Sequence, residues 1–200
     1  MSKIVVSQFM TLDGVIDAPG GGEAFEHGGW AFQFDRGAEG NEFKLDELRN
    51  ADALLLGRVT YQAFADSWPG RTDDAGFADK INTMPKYVVS STLDKAEWTN
   101  STVIRDNILD EVDKLRRQPG GDILINGSRG LVALLMDHDL VDEFRLMVFP
   151  IVLNSGKRLF LDGQRVARLR LVNSRPVGPD GVVILTYEPA SRQAERSKDH

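Results

Sequence analysis

Apolar residues along the chain follow two patterns, and each predicts a different kind of element. Short apolar runs such as 51–57 (ADALLLG) and 122–126 (DILIN) are typical of strands covered on both faces. Segments such as 39–49 and 108–118 place apolar residues on one side of a helix and polar residues on the other. The sequence therefore mixes buried strands with amphipathic helices.

The predicted elements alternate and then close on an antiparallel pair. We expect strands at 3–11, 51–57, 86–93, 101–105, 122–126 and 141–153, two more within 168–189, and helices at 39–49, 58–68, 108–118 and 128–140. The last two strands are joined by a Gly178-Pro179-Asp180-Gly181 turn. This order predicts one α/β domain over residues 1–190 with a mostly parallel sheet and a C-terminal antiparallel hairpin. We expect the polar tail, 191–200, to be disordered.

A glycine-rich loop interrupts this pattern at 18–40, with seven glycines among aromatic residues. A loop this long inside a compact domain is typical of a functional lid. Trp30 could stack on a flat heterocyclic substrate, or it could pack on the core. His27 could be a base or a substrate donor, or an exposed loop histidine. The sequence leaves both choices open.

Composition narrows the possible partners. The 200 residues are 42 % hydrophobic and 27 % charged, with a net charge of −6, which argues against nucleic-acid binding. The absence of cysteine excludes disulfides, thiol nucleophiles and cysteine zinc sites. The first apolar run is too short for a signal peptide or a membrane span. We therefore expect a cytoplasmic protein that acts on a small-molecule substrate, without nucleic-acid or membrane partners.

No metal site is predicted. Asp137, His138 and Asp139 are successive residues of a predicted helix, so their side chains point about 100° apart and cannot converge on one ion. A serine hydrolase is not supported either, because the chain has no Gly-x-Ser-x-Gly motif.

Two strand-to-helix turns carry residues that suit an anion. In the first, Gly57 permits a sharp turn, Arg58 offers a guanidinium for a phosphate, and Thr60 could cap the helix or contact an anion. In the second, Gly127 and Ser128 leave the helix N-terminus uncluttered. Ligands of open α/β sheets lie outside the carboxyl ends of the strands. Two such turns in one sheet predict a ligand with several phosphates, although each alone is also an ordinary connection.

A third strand end adds hydroxyl groups. Ser90, Ser91 and Thr92 follow the strand KYVV directly and suit a sugar or a phosphate. The same residues are common in caps and turns.

The order strand–LDG–VI, strand–GRVTY–helix, strand–SST, strand–NGSRG–helix resembles the dihydrofolate reductase fold. Within it, the chain most resembles the reductase (C-terminal) domain of the bifunctional riboflavin-biosynthesis deaminase/reductase and its stand-alone bacterial relatives. The resemblance runs from about Lys3 to Phe160 and includes TLDGVI and PIVLNSGKRLF. It implies a single dihydrofolate-reductase-like domain, an NADPH cofactor and a homodimer.

The resemblance also implies roles for individual residues. Gly57, Arg58 and Thr60 would hold the adenosine-side phosphates, with Arg58 near the 2′-phosphate. Ser90 and Ser91 would lie along the ribose. The pyrophosphate would bind Gly127, Ser128 and Arg129, and Phe9 would lie near the nicotinamide.

The substrate side differs from dihydrofolate reductase. Val148 stands where that enzyme has a pterin-contacting threonine. Alignment on Phe43 and Lys44 places the substrate carboxylate at Glu39, whereas counting back from Gly57 gives Asn41. Asp13, directly after the first strand, is the first candidate proton donor, although Asp-Gly pairs are also common in turns.

These features favour an NADPH-dependent reductase that transfers hydride to a small heterocycle of the pterin or aminopyrimidine class, with Asp13 or Glu39 assisting protonation. The alternatives are a non-catalytic NADP(H)-binding or nucleotide-binding protein of the same fold, and a protein that binds flavin or another nucleotide at the same strand ends.

Overall fold

The computed structural model describes residues 1–21 and 24–190, so the polar tail predicted to be disordered lies outside the described residues. The strands are β1 (Ile4–Thr11), β2 (Ala51–Gly57), β3 (Lys86–Val89), β4 (Ser101–Ile104), β5 (Asp122–Ile125), β6 (Glu143–Phe149), β7 (Leu169–Val177) and β8 (Val182–Pro189). The helices are α1 (Gly37–Arg49), α2 (Arg58–Ser67), α3 (Phe77–Thr83), α4 (Ile108–Arg117) and α5 (Arg129–Asp137), with a 3₁₀ helix at Trp30–Gln33.

All eight strands form one sheet in the order β4-β3-β2-β5-β1-β6-β8-β7. The first six in this order are parallel to one another. Strand β8 lies antiparallel to β6, and β7 antiparallel to β8. The predicted fold class, a mostly parallel α/β sheet with an antiparallel C-terminal hairpin, is confirmed. The carboxyl ends of β1, β2, β3 and β5 consequently lie along the same edge.

Helices cover both faces of the sheet, as the apolar strand patterns predict. In β2, Leu55 packs into the cluster formed with α4 and α5, whereas Leu54 and Leu56 pack into the cluster on the α1, α2 and α3 side. All three leucines are fully buried. Within the described ranges, no helix has the length and apolar character needed to cross a membrane.

Several boundaries differ from the sequence expectations. Helix α3 was not predicted, because its start depends on Asp73, whose carboxylate accepts hydrogen bonds from the backbone N–H groups of Phe77 and Ala78. Strand β6 ends at Phe149 instead of 153, next to Pro150, which has no N–H to donate to a ladder. Helix α5 ends at Asp137 instead of 140.

Candidate functional site

The turns after β2 and β5 lie in direct contact at the carboxyl edge of the sheet. A Cβ on Gly57 would overlap the side chain of Ser128, and a Cβ on Gly127 would overlap that of Thr60. Gly127 also has φ of 72°, a left-handed conformation that favours glycine. The structure therefore needs glycine at both positions, and the two turns form one continuous surface.

This surface contains two helix N-termini. Gly57 precedes α2 and Ser128 precedes α5, and no side chain caps either helix. Arg58 and Arg129, the first residues of these helices, are exposed. Arg58 Nη1 donates a hydrogen bond to Gln62 Oε1 of its own helix at 3.0 Å. Uncapped N–H groups, helix dipoles and guanidinium groups together favour an anion here.

Two side-chain amides, one from the turn and one from the neighbouring strand β1, hold the second turn in place. Asn126 Nδ2 donates to the backbone carbonyl of Ser7 at 3.0 Å, and Gln8 Nε2 donates to the carbonyl of Gly127 at 3.4 Å. The turn is thus attached to β1, the strand that carries Phe9.

The two serines after β3 have different environments. Ser90 is buried, and its Oγ accepts hydrogen bonds from the backbone N–H groups of Thr92 and Leu93 at 3.2 and 3.0 Å. Ser91 is exposed. The hydroxyl of Ser90 therefore stabilises a turn, the second of its two predicted uses, whereas Ser91 presents its hydroxyl to solvent.

A cleft of about 200 Å³ opens beside Phe9, between the 3₁₀ helix and the start of α1; its other lining residues are Ala31, Phe32, Phe34, Asp35, Arg36 and Asn41. The guanidinium carbon of Arg36 lies 5.1 Å from the centroid of the Phe9 ring, and Arg36 Nε donates to Asn41 Oδ1 at 2.7 Å. Burial lowers the pKa of Arg36 from its usual value. The cleft combines aromatic surface with a fixed cation and an amide.

The aromatic residue at the rim of the cleft is not the predicted one. Trp30 is fully buried, its Nε1 donates to the carbonyl of Asp17 at 2.8 Å, and its ring packs against Phe149. Trp30 therefore packs in the core, the second of its predicted roles, and is not among the residues that line the cleft. Phe32 lines the cleft and is 77 % exposed. No sequence signal distinguishes Phe32 from the other aromatic residues of the loop.

His27 does not line the cleft. It is exposed, and its Nε2 lies 2.9 Å from a carboxylate oxygen of Glu26. This location agrees with the alternative of an exposed loop histidine.

Asp13 holds a turn in place. Its carboxylate accepts hydrogen bonds from Thr11 Oγ1 at 2.6 Å and from the backbone N–H groups of Leu153 and Asn154 at 3.3 and 2.9 Å. Burial alone would raise the pKa of Asp13, but these hydrogen bonds lower it below the usual value. The carboxylate therefore joins β1 to residues 153–154 as a hydrogen-bond acceptor, and its role as a proton donor stays a prediction.

Glu39 also lies away from the cleft. It is exposed on α1, whereas Asn41, two residues later, lines the cleft. Two residues rotate a helix position by about 200°. Of the two alignments, the count from Gly57 gives the residue that lines the cleft, Asn41, whose side chain is an amide rather than a carboxylate.

Sequence reasoning missed a buried polar cluster next to Phe9. Lys44 Nζ donates to Ser7 Oγ, Ser7 Oγ donates to Glu47 Oε2 at 3.0 Å, and Lys44 pairs with the same carboxylate oxygen. The ammonium lies 5.3 Å from the centroid of the Phe9 ring. Ser7, polar within the strand IVVSQFMT, is the signal that could have shown a buried polar site.

A wider depression of about 630 Å³ lies along α2 and residues 93–98, but Arg58 and the glycine turns do not line it. In the part of the chain that the structure describes, no three His, Asp or Glu side chains converge as a metal site would require.

Comparisons with known proteins agree with this arrangement. The Bacillus subtilis protein YyaP is 32 % identical over 188 residues, covering 92 % of this chain and 94 % of YyaP. A riboflavin biosynthesis protein from Shewanella superposes with a TM-score of 0.73 at 19 % identity, covering 94 % of this chain and 99 % of that one. Dihydrofolate reductase from Enterococcus faecalis, solved in complex with NADP(H), superposes with a TM-score of 0.59 at 15 % identity, covering 94 % and 96 %.

These structural likenesses show the dihydrofolate-reductase-like fold, and YyaP covers nearly the same length of chain. The family model of the RibD C-terminal domain matches residues 2–183, which span the sheet, both glycine turns and the cleft. The chain belongs to the RibD C-terminal domain family.

Proposed function

We propose that the protein is an NADPH-dependent reductase that transfers hydride to a small heterocycle of the pterin or aminopyrimidine class. Its family supports a reductase-type activity. The observation that carries the proposal is the contact between the two glycine turns, which places two uncapped helix N-termini and two arginines on one surface beside the Phe9 cleft.

The residues at this edge fit a dinucleotide with an additional phosphate. The free N–H groups of Ser128, Arg129 and Gly130 suit the pyrophosphate, because the dipole of α5 favours negative charge there. Arg58, at the start of α2, suits the 2′-phosphate, which distinguishes NADPH from NADH. Ser91 is available to the adenosine ribose. When bound, the cofactor supplies the hydride at its nicotinamide carbon, and Phe9 is the aromatic residue that would position this ring.

The cleft fits a flat acceptor. Phe9 forms its wall, Phe32 stands exposed at its rim, and Arg36 with Asn41 provides polar groups for ring heteroatoms. A bound heterocycle would cover Phe32, which otherwise exposes a large apolar surface to water.

A non-catalytic NADP(H)-binding protein is the second candidate. The observation that favours it is the position of the two predicted carboxylates, since Asp13 holds a turn and Glu39 lies outside the cleft. Binding of NADPH without its oxidation would support this candidate over the reductase.

The test is a titration of the protein with NADPH and NADH, followed by tryptophan quenching and nicotinamide emission. Arg58→Ala should weaken NADPH by about tenfold to hundredfold, because it removes a charge-assisted hydrogen bond of about 1.5–3 kcal/mol, and should leave NADH nearly unchanged. The matched control is Arg117→Ala, in α4. The backbone carbonyl of the neighbouring residue, Arg116, accepts a hydrogen bond from the N–H of Ser2, which lies just before β1. Arg117 is therefore near the amino edge of the sheet, opposite the edge where Arg58 lies.

Equal weakening of both nucleotides in Arg58→Ala would remove the 2′-phosphate role of this residue. Failure of the wild-type protein to bind either nucleotide would remove the proposed function altogether.

A further inference from the structure

Lys44 lies next to the cleft, although it is not one of the residues that line it. It belongs to α1, one turn after Asn41, which lines the cleft. Its ammonium lies near the face of Phe9, the aromatic wall of the same cleft, and its side chain is 14 % exposed. The ammonium has three N–H donors, and its contacts with Ser7 and Glu47 account for two of them.

The groups that hold Lys44 are more deeply buried than Lys44 itself. Ser7 is 1 % exposed and Glu47 is 3 % exposed. Glu47 Oε2 binds Ser7 and Lys44, whereas Oε1 has no hydrogen-bond partner among the described residues and lies 4.0 Å from Arg145 Nη1. A buried ion pair adds little stability compared with apolar residues of similar volume. An incompletely bonded carboxylate at this site therefore indicates a role beyond stability.

The other polar groups near the cleft do not fit proton donation. Arg36 keeps its protons at all accessible pH values. Asp35 lies at the exposed mouth, where its carboxylate accepts a hydrogen bond from the N–H of Gly37 at 2.7 Å. Asp13 bonds to residues 153–154 outside the cleft lining, and Glu39 is exposed. Among these described groups, Lys44 is the one whose side chain lies beside the Phe9 ring and can release a proton.

We propose that Lys44 is the catalytic proton donor of this site and that Ser7 and Glu47 are its positioning residues, an inference that rests on the proposed reductase function. Hydride from NADPH forms a C–H bond at the carbon of a C=N or C=O group, and the π electron pair moves to the heteroatom. The heteroatom takes a proton from Lys44 Nζ, which becomes a neutral amine and regains a proton from water. The acceptor gains two electrons and two hydrogens, and NADPH becomes NADP⁺.

The experiment measures NADPH oxidation by the wild-type protein with dihydrofolate and with a ribosylaminouracil as probes, and then compares variants on whichever probe is reduced. Lys44→Gln should lower kcat by about 10²- to 10⁴-fold, the usual contribution of general acid catalysis. It should leave NADPH affinity nearly unchanged, which also shows that the variant is folded. Lys44→Arg keeps the charge but cannot release its proton, so kcat should stay low while KM recovers.

Ser7→Ala is the conservative second variant. It removes one hydrogen bond to the ammonium, and kcat should fall less than in Lys44→Gln, with KM unchanged. Lys114→Gln, an exposed lysine paired with Glu111 on α4, is the matched control and should behave as wild type.

Each outcome decides between the two proposals. Wild-type turnover that persists in Lys44→Gln, or that returns fully in Lys44→Arg, would overturn the role of Lys44 and leave the reductase intact. Wild-type protein that binds NADPH but oxidises it with neither probe would overturn the reductase proposal and this inference with it.

Discussion

Both faces of the central sheet carry an apolar cluster, but one face also carries buried charged and polar side chains. Under α4 and α5, strands β1, β5 and β6 present apolar side chains such as Val6, Ile125 and Leu146, which form one large cluster. Under α1, the same strands present Ser7, Asp122 and Arg145. Because alternate residues of a strand point to opposite faces, the same three strands contribute apolar side chains to one face and charged side chains to the other. One face stabilises the fold, and the other also holds the charges beside the cleft.

The charges on the α1 face balance one another. Arg145 binds Glu143 at 2.6 Å and Asp122 at 2.8 Å, and Lys3 binds Glu143 at 2.8 Å. Burial alone would lower the pKa of Arg145 and raise that of Glu143, but the opposite charges reverse both shifts. Each charge in the network thus depends on its partners. Removal of one charged residue should therefore lower the free energy of unfolding in a pH-dependent way, whereas the loss of an apolar residue should lower it equally at every pH.

The largest effect is expected from paired variants on the two faces. Arg145→Met leaves Asp122 without its cation and Glu143 with Lys3 alone, and it should reduce the free energy of unfolding by about 3–5 kcal/mol. Leu135→Ala, in α5, removes a fully buried side chain and should cost about 2–5 kcal/mol. Urea unfolding at neutral and mildly acidic pH separates the two causes.

In Arg145→Met, the loss relative to wild type should shrink on acidification, because protonation neutralises the uncompensated carboxylates. In Leu135→Ala, the loss should stay constant, because no charge is involved. An Arg145→Met penalty that does not depend on pH would show that packing, rather than charge, distinguishes the two faces.

This difference between the faces also explains what the sequence could predict. Apolar runs such as ADALLLG predict a strand residue by residue, because a continuous apolar segment in the local sequence indicates burial on both faces of the sheet. The edge turns are predictable for the same reason, since Gly57 is the last residue of β2 and Gly127 follows the end of β5 by two residues. The contacts of Lys44 with Ser7 and Glu47 are different: Ser7 is 37 and 40 residues away from these two partners, and only the fold brings them together.

The choice between Glu39 and Asn41 shows a second limit. A shift of two residues turns the side chain to another side of the helix, so small alignment differences change which group faces the cleft. The exposure of Phe32 and the burial of Trp30 likewise depend on how the loop before α1 packs against β1 and β6. The local sequence pattern does not predict this packing.

Lys86 tests whether a buried charge on this side of the sheet must have an ion partner. It is fully buried in β3, with Nζ donating to the carbonyls of Asn82, Met84 and Thr99 at 2.7–3.0 Å and lying 4.1 Å from the Trp98 ring centroid. Lys86→Met should reduce the free energy of unfolding by at least about 1–3 kcal/mol, because buried carbonyls lose their donor.

Burial lowers the pKa of Lys86 to about 8. Between pH 8 and the usual lysine pKa near 10.5, the unfolded chain therefore binds a proton that the folded protein has released. The free energy of unfolding should rise with pH across this window in the wild type but not in Lys86→Met. A wild-type curve no steeper than that of the variant would mean that the three carbonyls keep the ammonium charged.

The smallest effect is expected at Asp13, a carboxylate near the surface whose partners are backbone N–H groups, the Thr11 hydroxyl and the exposed guanidinium of Arg158 at 3.7 Å. Its folded pKa lies below the usual value of 3.8, so its stabilisation is complete above that value and is lost as the pH falls through the lower folded pKa. Asp13→Asn should cost about 1 kcal/mol at neutral pH, and the variant should lose less stability than wild type on acidification. Acid titrations of both proteins, followed by circular dichroism, measure this difference. NADPH oxidation by the same variant is the control. Turnover that falls along with stability would support a role for Asp13 in the reaction. Unchanged turnover would show that Asp13 only holds its turn in place and takes no part in the chemistry beside Lys44.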